Sequence, residues 1–183
     1  MQRRALQIAL LVVMAIFLGT MFTPLHVADC ATTIDKKSEA TVAVNDARLH
    51  GDAGDDALVA FQIHGGDNAF DDGLRAAFKD ALAKKAPNAK VVDGPPPKNS
   101  VLLRVTLTSA DLRWTPFYSH EALGAHTAIQ LPGMSAGKQI TADTNIDAVC
   151  KGLVSRAHFQ AHGDTTAPLA EWLVDNLAAA RAR

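Results

Sequence analysis

Aromatic side chains are scarce in this chain of 183 residues, at 5% with a single Tyr and two Trp. It therefore has few of the stacking platforms on which a carbohydrate or single-strand groove depends. There is no surplus of positive charge either, since 18 Lys and Arg face 19 Asp and Glu for a formal net charge of −1. Neutralising a phosphate backbone needs such a surplus, so no nucleic-acid partner is expected. Only two cysteines occur, Cys30 and Cys150, and no Cys-x-x-Cys, so cysteine alone makes neither a metal site nor a redox motif. Internal repeats, heptad arrays and long low-complexity segments are missing, and the length suits one modest domain.

One long apolar run is present. Arg3 and Arg4 precede the segment Ala5 to Phe22, which only Gln7 and Thr20 interrupt. At about 1.5 Å per residue the run spans roughly 27 Å, close to the thickness of a hydrocarbon core. Residues 1–29 are therefore expected to be a signal peptide or an N-terminal membrane anchor. The basic pair keeps its end in the cytoplasm and sends the remainder across. Val27-Ala28-Asp29-Cys30 is similar to a lipoprotein signal, except that Asp29 stands where a small uncharged residue belongs. Attachment to the membrane is thus expected through residues 5–22 or through lipidation at Cys30.

Residues 30–40 are polar and aperiodic and read as a tether. Residues 41–183 read as a single extracytoplasmic domain, membrane-anchored or secreted. In that compartment a disulfide between Cys30 and Cys150 is possible and would close a loop of about 120 residues. The favoured reading makes Cys150 a small buried hydrophobe on a helix instead.

Within the domain, Thr41 to Val44 and Leu58 to Ile63 alternate as strands, with a Gly- and Asp-rich turn at 50–56 between them. Asn68 to Lys85 reads as a helix: Phe70, Leu74, Phe78, Ala81 and Leu82 share a face, Asp67 or Asn68 caps it, and Lys84 and Lys85 close it. Lys90 to Asp93, Val101 to Thr108 and Ala125 to Leu131 read as strands, with an irregular aromatic stretch at 111–124. Thr144 and Asp147 match a capping box before a helix carrying Ile146, Val149, Cys150, Leu153 and Val154 and ending at Gly163. A last helix is expected from Ala167 to Ala180, with Pro168 in its first turn. The predicted class is α+β, a mostly antiparallel sheet of about five strands with two or three helices on one face.

Three constellations bear on chemistry. His120, Glu121 and His126, with His158 and His162 four apart, are weak candidates for a metal site; HEALGAH and HFQAH do not match His-Glu-x-x-His, and no metal or other cofactor is expected. Gly133-Met-Ser135-Ala-Gly137 satisfies G-x-S-x-G, and Asp147 and His158 follow in hydrolase order. No apolar helical face follows Ser135, so this too is weak. Neither Gly133 to Lys138, one residue short of a phosphate loop, nor Asp52, Asp55 and Asp56 has the spacing of its motif. Arg113, Trp114, Phe117 and Tyr118 cluster in the irregular stretch and suit contact with a protein partner, because aromatics bury large area at little entropic cost. The alternative role for them is to cover the core.

The order LVAFQI, NAFDDGLRAAFKDALAKK, KVVD, SVLLRVTLTS behind a membrane-proximal cysteine resembles the small α/β domains of bacterial envelope lipoproteins, including periplasmic auxiliary and assembly lipoproteins. The resemblance covers about residues 57–131 and has no diagnostic motif. It implies a periplasmic, non-enzymatic accessory protein that binds another envelope protein or complex. An exported metal-dependent or serine hydrolase, or a domain that binds a small ligand or lipid, are the alternatives.

Overall fold

The computed structural model describes residues 13–15, 26–37, 58–92, 94–134 and 139–181. Six strands form one sheet: β1 (His26–Lys37), β2 (Leu58–His64), β3 (Lys90–Val92), β4 (Val101–Thr115), β5 (Tyr118–Gln130) and β6 (Ile140–Val154). Their order across the sheet is β1-β6-β5-β4-β2-β3. The β2–β3 and β2–β4 pairs are parallel and the other three antiparallel. From residue 26 onward the described residues also form helices α1 (Asn68–Lys85), α2 (Arg156–Gln160) and α3 (Gly163–Arg181). This is the expected α+β class, with one strand more than predicted.

The β2–α1–β3 unit follows its local signals. Asp67 caps α1 by accepting the Phe70 N–H at 2.7 Å, and the five apolar residues predicted for its inner face are all buried. Phe78 stacks on Phe61 of β2 with ring centroids 4.5 Å apart, which joins helix to sheet. On β4, Val101, Leu103 and Val105 face the same core, and Leu169, Leu173 and Leu177 of α3 close it from the side of α1. The three leucines fall at helical spacing, so one stripe of α3 is buried.

The aromatic stretch is regular. β4 runs on to Thr115 and turns at Pro116 and Phe117 directly into β5, making one long antiparallel hairpin. A bulge at Thr108 separates the half of β4 that alternates into the core from an outer half that is mostly exposed. Gly124 lies opposite the bulge, where a Cβ would press on the hydroxyls of Thr108 and Ser109.

Three expectations are overturned. The stretch 140–154, part of which carries the capping-box pattern, is strand β6 and not a helix. Thr144, Ile146, Ala148 and Cys150 are buried at every second position, so the stripe of period two prevails over the helical one. Residues 31–37, expected as tether, belong to β1 and pair with β6 in unbroken register from His26↔Val154 to Lys37↔Asp143. That pairing also takes His26 to Asp29, from the end of the expected leader, into the sheet. Its β6 partner is remote in sequence, which is why a local reading of polar residues finds only a tether. Gly163 opens α3 where it was expected to end a helix.

The strand expected at 41–44, the acidic turn with Asp52, Asp55 and Asp56, and Ser135 lie outside the described residues. Of the apolar segment 5–22 only residues 13–15 are described. Among the described residues no helix is long and apolar enough to cross a membrane.

Candidate functional site

Among the described residues, four of the eight buried polar side chains, Ser155, His162, Thr165 and Thr166, lie between the end of β6 and the first turn of α3. β6 stops at Val154, and Ser155 caps the short α2 by accepting the His158 N–H at 3.0 Å. His162 then takes a left-handed φ of 52°, a conformation uncommon outside Gly, Asn, Asp and His. Its carbonyl receives the Thr166 N–H at 2.8 Å and the Thr166 hydroxyl at 2.9 Å, so it starts α3. This double turn brings His158 and His162 to two separate sites.

His162 is buried between two carboxylates. Its Nδ1 lies 3.1 Å from Glu121 Oε1 of β5 and its Nε2 lies 3.5 Å from Asp67 Oδ2 at the start of α1. The Thr165 hydroxyl donates to the other Glu121 oxygen at 2.8 Å. An acceptor beside each ring nitrogen favours the charged form of the imidazole. The Glu121 hydrogen bond raises its pKa, against the opposing effect of burial. Asp67 is held below the usual carboxylate range, first by the Phe70 N–H. Phe70 and Phe159 flank the ring, each with its centroid 6.0 Å away. The cluster ties α1, α3 and β5 together and its His162, Glu121 and Thr165 side chains are buried, so it reads as a structural lock.

A pH dependence follows. A histidine whose folded pKa is raised supplies its full stabilisation below the ordinary value near 6.5 and loses it as pH rises through the raised value. Urea unfolding from pH 5.5 to 9 is expected to show the stability gap between wild type and His162→Gln narrowing as pH rises. A gap that stays constant would show that the imidazole is not charged in the fold.

The second site surrounds the cysteines. Cys30 and Cys150 face one another in the β1–β6 register and are joined by a disulfide, with Cα atoms 4.1 Å apart. The bond takes up the Cys30 sulfur, so this form of the protein does not carry a lipid thioether there. Cys150 lies in a strand and is not a lone apolar side chain on a helix. His158 Nε2 lies 2.7 Å from Asp164 Oδ2, and the same oxygen is 3.3 Å from Cys150 Sγ. Asp164 stands in the first turn of α3. Pro168 has no N–H to give to the Asp164 carbonyl, and the Thr32 hydroxyl of β1 donates to it instead at 3.1 Å.

The remaining candidates lie apart from these sites. On the face of the sheet turned away from α1 and α3, His120 pairs with Asp147 at 3.0 Å and His126 with Asp143 at 2.6 Å. The five predicted metal ligands therefore divide among four places. Asp147 and His158, the acid and base of the hydrolase reading, each have a different partner. Sequence reasoning missed Asp164, whose proximity to Cys150 and His158 depends on the turn through α2. The one available signal was an acidic residue in the first turn of a helix.

At the tip of the hairpin Phe117 is 67% exposed, with Tyr118 exposed beside it and Leu112 exposed on the opposite face of the hairpin. Arg113 is exposed and pairs with Asp111 at 2.8 Å. Trp114 is half-buried and its indole N–H donates to the Val154 carbonyl at 3.1 Å. The turn carbonyls of Pro116 and Phe117 accept the N–H groups of Val154 and Gly152 at 3.0 and 3.1 Å. The tip is thus pinned to the end of β6.

No family model matches the chain, and no curated protein matches it. Several solved structures are similar at low identity. The PelC dodecamer from Paraburkholderia phytofirmans is 12% identical, over 78% of this chain and 97% of that one, with a TM-score of 0.43. A minor lipoprotein from Acinetobacter baumannii is 16% identical over 69% of this chain and 95% of its own, with a TM-score of 0.41. The rare lipoprotein B from Shewanella oneidensis is 14% identical over 68% and 96%, also at 0.41. Two of these three are bacterial lipoproteins, the kind of protein that the sequence layout resembles. No residue role is taken from any of them.

Proposed function

We propose that the chain is a non-enzymatic, extracytoplasmic accessory domain of the bacterial cell envelope, which binds another envelope protein through the tip of the β4–β5 hairpin. The exposure of Phe117 at the end of a pinned hairpin carries this reading. Tyr118 extends the apolar surface and Arg113 borders it on the same face of the hairpin. Aromatic and arginine side chains on a preorganised element lose little entropy on binding. Export is supported by the Arg-led apolar run and by the disulfide, which persists outside the reducing cytoplasm.

Crosslinking in intact cells followed by purification of the full-length protein tests the proposal. Phe117→Ser is expected to unfold within about 0.5 kcal/mol of wild type, because the side chain is exposed. Its yield of the crosslinked partner should fall more than about tenfold, as for an interface anchor worth 2 kcal/mol or so. Trp114→Ala should lose stability as well, since its indole binds Val154. Undiminished capture by Phe117→Ser would remove the hairpin tip from the interface.

One observation favours a second reading. A groove of about 330 Å³ lies between β1 and α3, lined by Ile34, Ala167, Pro168 and Trp172 with Glu171 and Asp175. Its size is at the low end of the range for small-ligand sites. An apolar ligand there would protect Trp172 fluorescence from an aqueous quencher.

A further inference from the structure

The side chains around the disulfide form a set of ligands. Cys30 and Cys150 Sγ, one ring nitrogen of His158 and one oxygen of Asp164 all lie within 4.8 Å of one another. We propose that, in its dithiol form, the protein binds one Zn²⁺ at Cys30, Cys150, His158 and Asp164, and that formation of the disulfide abolishes this site. The protein would then have two alternative closures of the same β1–β6–α3 junction, one covalent and one through a metal.

The chemistry of the four donors fits a closed tetrahedral zinc site, for which two thiolates, an imidazole and a carboxylate are all suitable ligands. Tetrahedral bonds of about 2.3 Å to sulfur place two thiolates ~3.7 Å apart, and bonds of about 2.0 Å place nitrogen and oxygen ~3.3 Å apart. The present His158–Asp164 distance of 2.7 Å and the Cys150–Asp164 distance of 3.3 Å need only small adjustments. The sulfurs must separate once their bond is cut, and each does so by turning about its own side-chain bonds. Cys150 is buried at 1% exposure, and His158 and Asp164 are partly covered. The donors are positioned by β1, β6, α2 and the first turn of α3, so the site depends on the folded chain.

The exchange balances as follows. A dithiol reductant gives two electrons and two protons to the Cys30–Cys150 bond, which becomes two thiols while the reductant closes its own disulfide. Zn²⁺ then displaces both thiol protons to solvent and is held by two thiolates, the neutral His158 ring and the Asp164 carboxylate. In the reverse direction a disulfide oxidant accepts two electrons from the two thiolates and is itself reduced to two thiols, so the Cys30–Cys150 bond re-forms, two of the four ligands are lost and the ion is released.

The test uses the untagged full chain in detergent, reduced with a phosphine and titrated with Co²⁺ and then Zn²⁺, with the oxidised protein alongside. The reduced protein is expected to bind one Co²⁺ with thiolate-to-cobalt charge-transfer absorption and a tetrahedral ligand-field band, both bleached by one equivalent of Zn²⁺. The oxidised protein should show neither. The exposed His120–Asp147 and His126–Asp143 pairs contain no sulfur and cannot give the charge-transfer signal.

His158→Ala and Asp164→Asn should each weaken binding by more than about 100-fold, the upper end of the loss for an outer-shell partner. Reduced protein with a native near-UV spectrum that gives no charge-transfer band would overturn the proposal. So would full affinity in both variants. If reduction abolishes the near-UV spectrum, its recovery on adding Zn²⁺ supports the site and failure to recover refutes it.

Discussion

Replacing both cysteines, as Cys30→Ser with Cys150→Ser, is expected to lower the unfolding free energy by about 4–5 kcal/mol, the entropy of closing a loop between residues 120 apart. In a domain of this size that corresponds to a fall in Tm of roughly 10–20 °C. The magnitude reflects where the bond acts. β1 is an edge strand and meets the sheet only through β6. Its side chains from Ala31 to Asp35 are exposed, so little apolar burial holds it. The cross-link therefore supplies what packing does not. Urea titrations of the oxidised wild type and the double variant measure the difference. A loss below about 1 kcal/mol would show that the hydrogen-bonded β1–β6 ladder docks the strand without covalent help.

The second large effect is expected at Glu121. Its side chain and that of His162 are 5% and 6% exposed. Removing one partner of a buried ion pair leaves the other without compensation, at a cost of about 3–5 kcal/mol. Glu121→Ala is expected to lose that amount, because His162 Nδ1 loses its acceptor and the Thr165 hydroxyl is left with the His162 carbonyl alone. Glu121→Gln keeps an acceptor and should lose less. In a double-mutant cycle with His162→Ala the coupling should be about 1–3 kcal/mol. Additive losses would mean that the two residues act separately, and the lock between α1, α3 and β5 would have to be assigned to the threonines.

The features legible in the sequence are those with a local cause. α1 was specified twice, by its apolar stripe and by the order of charges from Asp67 to Lys85, and both agree with the structure. The buried half of β4 was visible in the alternation of Val101, Leu103 and Val105. β6 was misread because Ile146, Val149, Cys150, Leu153 and Val154 satisfy a helical period as well, and two of them belong to the sheet's other face or to its margin. What separates the two readings is pairing with β5 and β1, which no window on residues 140–154 contains. The candidate site was legible to the same extent. His158, His162, Glu121 and the two cysteines were singled out by type, but their division into a lock and a disulfide cluster is set by the left-handed turn at His162 and by contacts from Asp67 and Asp164.

The place of β1 in the sheet also sets an order of events. A chain is made from its N-terminus, so β1 is complete long before β6 exists to receive it. Contacts of such long range form only after the intervening loop is closed, and they slow folding relative to the local β2–α1–β3 unit and the β4–β5 hairpin. β1 is therefore expected to dock last, and until then Cys30 and Cys150 remain separate thiols. During that interval β6 presents an open edge to solvent and to other chains. The lifetime of this late intermediate, more than the strength of the finished fold, is expected to limit how much correctly closed protein accumulates.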